Sequence, residues 1–437
     1  MKKTFFIASI LSGLLVSQNA CKQQEYLNPS SISQSQAVSS IDGLLTLANG
    51  LQYRYTTGGA LSVLYNATAG AGLTTRELLI LNVGNTEEAN LAVGGGNVNN
   101  GNGVVRNLWT QCNLVRANAE LILANVDVAN NDPGTKSGLV GYASIFRALS
   151  LGTLAQFFEQ APITTGTNVP FVPRAQVFAE AIRTLETAAT QVAATPVSAN
   201  FTNKVVPGID IPNTIQALIA RYALFSGDYD KALAAAGKVN LTAKSVFNFD
   251  DNTRNPLFEA AFGNRNVFEP TDVNLGLTGA FAPEAGDQRI PFYTRATPTQ
   301  TQNRGTGFYT ANSAQIPVYL PGEILLIQAE ASARKGDLAG AVAALNKVRT
   351  KTPAQDAFGV GAALPAYSGP NTADAILLDI LKNRYIELAY QGFRLEDNRR
   401  FNRPGPGVAG AERNRNFFPY PRTERDNNTS TPQDPAL

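Results

Sequence analysis

The sequence predicts a mostly α-helical protein, a scaffold of helical hairpins interrupted by long loop-rich insertions. Three observations lead there. Two segments repeat each other as hairpins broken at a Gly-Asp pair, further stretches carry apolar residues at helical spacing, and two long stretches between them carry almost no periodicity.

Along the chain, Lys2 and Lys3 precede a twelve-residue apolar run from Phe5 to Val16, and SQNA then leads to Cys21. As a helix that run spans about 18 Å, short of a bilayer core of about 30 Å, so residues 1–20 read as an export signal. Cleavage before Cys21 exposes its thiol for lipid attachment, although Gln18 stands where leucine is usual three residues before such a cysteine. No other stretch reads as long and apolar enough to span a membrane, so residues 21–437 are expected to form one tethered domain.

Residues 58–107, containing VGGGNVNNGNG, read as the first loop-rich insertion. Helical spacing begins with LWTQCNLVRANAELILANV, where Leu108, Cys112, Val115, Ala119 and Ile122 fall on one stripe. GLVGYASIFRALSLGTLAQFF, from Gly138 to Phe158, is apolar through most turns, and Ala175–Ala194 carries Val177, Ile182, Leu185 and Ala189. The repeat then appears twice. Ala220, Gly227, Ala232 and Val239 are separated by seven, five and seven positions, and so are Ala329, Gly336, Ala341 and Val348. Small alanines let two helices approach closely, and the glycine ends the first helix in a left-handed turn. This spacing is the tetratricopeptide pattern, with Pro353 after the second copy. Tetratricopeptide-type helices are therefore expected over roughly 108–240 and 320–400, around a second insertion at roughly 243–315. A last helix is expected over Ala375–Gln391, ending at Gly392.

Composition excludes several chemistries. The chain has no histidine, which removes histidine general bases, Ser-His-Asp catalysis and His-containing zinc sites. Two cysteines give neither a CxxC motif nor a disulfide framework, and no cofactor or metal site is expected. Thirty-six basic against thirty-four acidic residues, with no long run of one sign, leave no nucleic-acid footprint. A two-carboxylate glycosidase passes these filters, with Glu87-Glu88 and Glu396-Asp397 as the pairs to consider.

EYLNPSS after Cys21, RALSLGTLAQFFEQAPI, the two Gly-Asp hairpins, PVYLPGEILLIQAEA, RYIELAYQGFRLEDNRR and FPYPRTERDNN occur in an order that resembles the SusD/RagB family of Bacteroidetes surface lipoproteins. The resemblance implies a helical scaffold with a loop-rich face, anchored by lipid in the outer membrane beside a SusC-like TonB-dependent transporter. It implies delivery of a glycan or oligosaccharide to that transporter rather than cleavage, with a peptide ligand of the RagB kind as the alternative.

Glycan recognition needs aromatic faces and planar polar side chains, which the insertions supply. The candidate ligand residues are Tyr65, Arg76, Tyr293, Arg295 and Tyr309, with Trp109, the only tryptophan, as a further platform whose helical spacing also fits the core. The charged stretch NRYIELAYQGFRLEDNRRF, from Asn383 to Phe401, looks most like an active site. Its four arginines alternate with three acids, a pattern suited to satisfied structural ion pairs, whereas an anion clamp leaves cations unopposed. Arg384 and Glu387 are one turn apart and expected to pair, with Arg394, Arg399 and Arg400 bracing the turn that follows.

Overall fold

The computed structural model describes residues 33–436, so the expected export signal and Cys21 lie outside the described residues. The helices Gly103–Asn125, Pro133–Phe157, Arg174–Ala194, Ile211–Ser226, Tyr229–Ala236, Pro321–Arg334, Leu338–Arg349 and Ala373–Glu387 pack neighbour on neighbour into one stack. The expected mostly α-helical, tetratricopeptide-like scaffold is what forms.

The Gly-Asp pairs show how the hairpins are made. Gly227 (φ 84°) and Gly336 (φ 86°) adopt the left-handed conformation. The following aspartate N–H reaches back to close the turn, Asp228 to Ala223 O and Asp337 to Ser332 O, both at 2.9 Å. The same aspartates then cap the next helix, accepting from Lys231 N at 3.1 Å and Gly340 N at 2.9 Å. One dipeptide thus ends one helix and starts another. The repeated alanines Ala220, Ala232, Ala329 and Ala341 are all fully buried where the helices meet.

The Pro133–Phe157 helix corrects one expectation. It is long and apolar enough to cross a membrane, with a mean hydropathy of 1.3 over its best window, but 94% of that window is buried inside the protein. Its apolar surface is covered by the helices on either side, including Ile211–Ser226.

Residues 58–107 are less irregular than expected, since they contain helices Val63–Thr74 and Thr86–Val93 and the first turn of Gly103–Asn125. Ten of the twelve residues of VLYNATAGAGLT are buried, so the segment has no polar face and hence no amphipathic period to read. Residues 243–315 are largely irregular, with short turns of helix at Phe258–Phe262 and Arg289–Tyr293. They are tied down by two antiparallel ribbons: Leu78–Ile80 on Phe268–Pro270, which joins the two insertions, and Val246–Phe247 on Ile316–Pro317. The last scaffold helix stops at Glu387, four residues early, because Tyr390 (φ 64°) and Gly392 (φ 79°) both turn left-handed.

The motif PGE at 321–323 joins both halves. Pro321 opens its helix, and Glu323 pairs with Arg221 through two contacts of 2.6 and 2.7 Å in a site from which water is excluded. Gly322 lies so close to Glu387 that a Cβ there would sit 1.7 Å from the carboxylate oxygen. No other residue fits.

Nothing lies within 4 Å of a Cβ built on Gly336, so backbone conformation alone resists substitution there. Gly336→Ala is expected to lower unfolding free energy by about 1–2 kcal/mol, with Gly336→Asn costing less. Urea denaturation of the two variants checks this, and equal costs would contradict it.

Candidate functional site

The charged stretch is largely a brace, as expected, although its partners differ. Arg384 pairs with Asp397 at 2.9 Å rather than with Glu387. The buried Glu387 instead meets Arg289 and Lys351, each at 3.1 Å, and Arg289 also holds Asp287 at 2.7 Å. Because Asp287 and Arg289 belong to the second insertion, this buried cluster pins that insertion to the last scaffold helix. Glu396 takes Arg174 at 2.5 Å and also Arg399, while Arg400 spans Glu330 and Asp397. Arg399 further donates to the carbonyls of Gln156 and Asn416, which fastens the end of the Pro133–Phe157 helix and the irregular segment around Asn416 to the brace.

Electrostatics follow from this burial. Burial alone would raise the Glu330 and Glu396 carboxyls, but Arg400, Arg384 and Arg334 at the first and Arg399, Arg174 and Arg400 at the second outweigh it and hold both below the ordinary value. Arg399 is pushed down to about 10 by burial, opposed by Glu396 and aided by Arg174.

The aromatic rings suggested as ligand platforms are mostly in the core. Tyr65 is 1% exposed and donates to Glu88 at 2.7 Å, with Phe268 against its ring. Trp109 is 2% exposed, stacks on Phe171 and donates to Glu424 at 3.0 Å. Tyr293 and Tyr309, fully and nearly fully buried, join Phe262, Phe308 and Tyr390 in an aromatic cluster beneath the second insertion, where Tyr293 donates to Glu387 O at 2.7 Å. Their rings anchor loops and offer no face to a ligand. Arg295 is half-buried on the ribbon formed with Gly305, away from the cleft described below. The carboxylate pairs considered for hydrolysis are also engaged. Glu87 accepts from Gly103 N at 2.6 Å, Glu88 from Tyr65, and Glu396 and Asp397 from arginines.

Arg76 is different. It is exposed, has φ 61°, and lines an open cleft of about 570 Å³ at the end of the Val63–Thr74 helix. The loop 276–281 forms one wall, Tyr385, Arg394 and Asn398 of the brace form the floor, and Arg403 with residues 408–412 closes the far side. A hydrogen bond from Arg76 to Ala411 O, 2.8 Å long, separates this cleft from a recess of about 360 Å³ lined by Val93, Gly95, Arg413 and Asn414. A further cavity lined by Tyr309 and Tyr390 holds only about 60 Å³, far below the several hundred Å³ that a saccharide-sized ligand needs.

Arg394, Arg403, Phe281 and Tyr385 escaped sequence reasoning as site residues. The Gly/Pro-rich segment RPGPGVAGAERNRN at 403–416 was the available signal, an irregular stretch with three arginines directly after the brace.

Fold and cleft together define a helical-hairpin scaffold whose loops assemble an open, polar recess. The SusD family profile matches residues 237–435. A SusD superfamily protein from Bacteroides fragilis superposes with a TM-score of 0.68 at 18% identity, covering 90% of this chain and 99% of that one. NanU from B. fragilis gives 0.67 at 15% identity over 94% and 99%, and a SusD-like carbohydrate binding protein from B. fragilis gives 0.64 at 14% over 91% and 100%. No curated protein matches the chain. The match to the SusD family thus spans the C-terminal part of the chain, residues 237–435, and the fold of these solved structures extends over nearly all of it.

The depressed carboxyls make the brace sensitive to acid. A group held below its ordinary value of 4.5 contributes stability that is complete above that value and is lost as pH falls through its folded-state value. The urea midpoint is therefore expected to fall between about pH 5 and about pH 3, and Glu396→Gln to flatten that slope while costing about 3–5 kcal/mol at neutral pH. A wild-type midpoint that stays level through this range would sink the idea.

Proposed function

We propose that this protein is a surface lipoprotein that binds a glycan or oligosaccharide and delivers it to a SusC-like TonB-dependent transporter in the outer membrane. The observation that carries the binding reading is the cleft at Arg76, of ligand size and built jointly by the first insertion, the second insertion and the segment after the brace. The SusD family match over residues 237–435 supports the same reading, as do the carbohydrate-binding description of one solved structure of this fold and the export signal ending at Cys21 in the sequence. The protein acts by capture, not turnover. Its acidic pairs are occupied by arginines, a backbone N–H or the Tyr65 hydroxyl, and the acid at the cleft, Glu412, is held by Arg403 at 3.0 Å. A general acid for glycoside cleavage would instead need a free carboxyl facing a second one across the ligand.

Affinity electrophoresis of the chain from Cys21 onward against soluble polysaccharides is expected to show retardation without release of reducing ends. Turnover would replace the reading with an enzymatic one, and binding only to peptides would shift it to the peptide-binding alternative. Cys21→Ser is expected to move the protein from the membrane to the soluble fraction. Retention of the variant in membranes would remove the lipid anchor.

A further inference from the structure

Three of the four arginines in the charged stretch meet a carboxylate within 3 Å: Arg384 at Asp397, Arg399 at Glu396, and Arg400 at Glu330 and Asp397. Arg394 does not. Its nearest acid is Glu77 at 3.6 Å, one amino group donates to Leu275 O at 2.8 Å, and its Nε and Nη2 have no hydrogen-bond partner among the described residues. The residue is only 6% exposed, yet it lines the cleft floor, with its guanidinium held over the Tyr385 ring at 5.0 Å.

The same imbalance continues outward. Arg76 at the mouth donates only to a carbonyl, and Arg413 in the adjoining recess donates to Asn416 and to Arg403 O, so neither forms an ion pair among the described residues. The acid present, Glu412, is already matched by Arg403, which is itself held over Phe281 at 4.8 Å. The linings of the cleft and its recess therefore hold four arginines against one acid, Glu412, with Glu77 3.6 Å from Arg394 as the other nearby carboxylate, in a chain whose formal charge is only +2. Guanidinium groups that lack a carboxylate at hydrogen-bonding distance, held in place by rings and carbonyls, are the arrangement that receives a carboxylate through paired N–H donors. We infer that the cleft selects a saccharide bearing carboxylate groups, with Arg76 at its mouth and Arg394 in its floor as the recognising cations. This deepens the binding reading above and rests on it.

The test is a glycan array of neutral and uronate-containing oligosaccharides, each acidic one paired with its carboxyl-reduced form, and an acidic peptide series alongside. Calorimetry then follows the best binder. Expected are preference for the acidic form by about tenfold or more over its reduced partner, weakening with salt, and a loss of about tenfold in Arg76→Ala. Arg394→Gln should lose affinity similarly; because that residue is buried, its circular dichroism and melting curve are compared with wild type, and exposed Arg76 carries the test if it unfolds. Equal binding of acidic and reduced forms, or an unchanged Arg76→Ala, overturns the carboxylate inference while leaving glycan binding intact. Preference for the acidic peptide overturns the choice of saccharide. Binding of nothing in the panel overturns the underlying reading as well.

Discussion

Glu323, Glu330, Glu387, Glu396 and Asp397 are carboxylates that the fold removes from water, and each needs a cation delivered from a different part of the chain. Arg221 comes from the first tetratricopeptide-like hairpin, Arg174 from the start of the helix before it, Arg289 from the second insertion, and Lys351 from the end of the second hairpin. An unmatched carboxylate in such surroundings costs several kcal/mol, so a shifted register anywhere in the stack is penalised at several points at once. Apolar packing of alanine-rich helices is permissive of sliding. The ion pairs are not, and they select one arrangement among those that the alanines allow.

That arrangement also explains how loops can build a cleft of defined shape. The Asp287–Arg289 cluster ties the second insertion to Glu387, the Leu78–Ile80 ribbon ties it to the first, and Arg394 reaches from the brace to Leu275 O at the edge of the wall. The cleft is therefore bordered by irregular backbone that is anchored every few residues to rigid helices. Ligand-facing positions between the anchors are free to vary in sequence without disturbing the scaffold.

The scaffold was legible because its signals are local. Gly227-Asp228 and Gly336-Asp337 each encode a helix end and a helix start in two residues, and the stripe from Leu108 to Ile122 is buried as its spacing implies. The Val63–Thr74 helix was not legible, since burial on all sides erases the polar face that reveals a helix. The burial of the candidate rings was hidden for a related reason. Aromatic residues in a loop look the same in sequence whether they face a ligand or pin the loop from below, and Tyr65, Tyr293 and Tyr309 do the latter. Which cations are opposed depends on contacts between residues hundreds of positions apart, such as Arg174 with Glu396, so the sequence pattern of alternating charges does not reveal it.

Arg76 holds its side chain at the cleft mouth from a left-handed backbone, a conformation that residues with a Cβ adopt at a cost of roughly 1 kcal/mol or more. Glycine would relax that strain and remove the cation together. The position therefore sets conformational ease against charge: a lineage drifting toward robustness would tend to lose the guanidinium, and one that needs a cation at this cleft would carry the strain indefinitely.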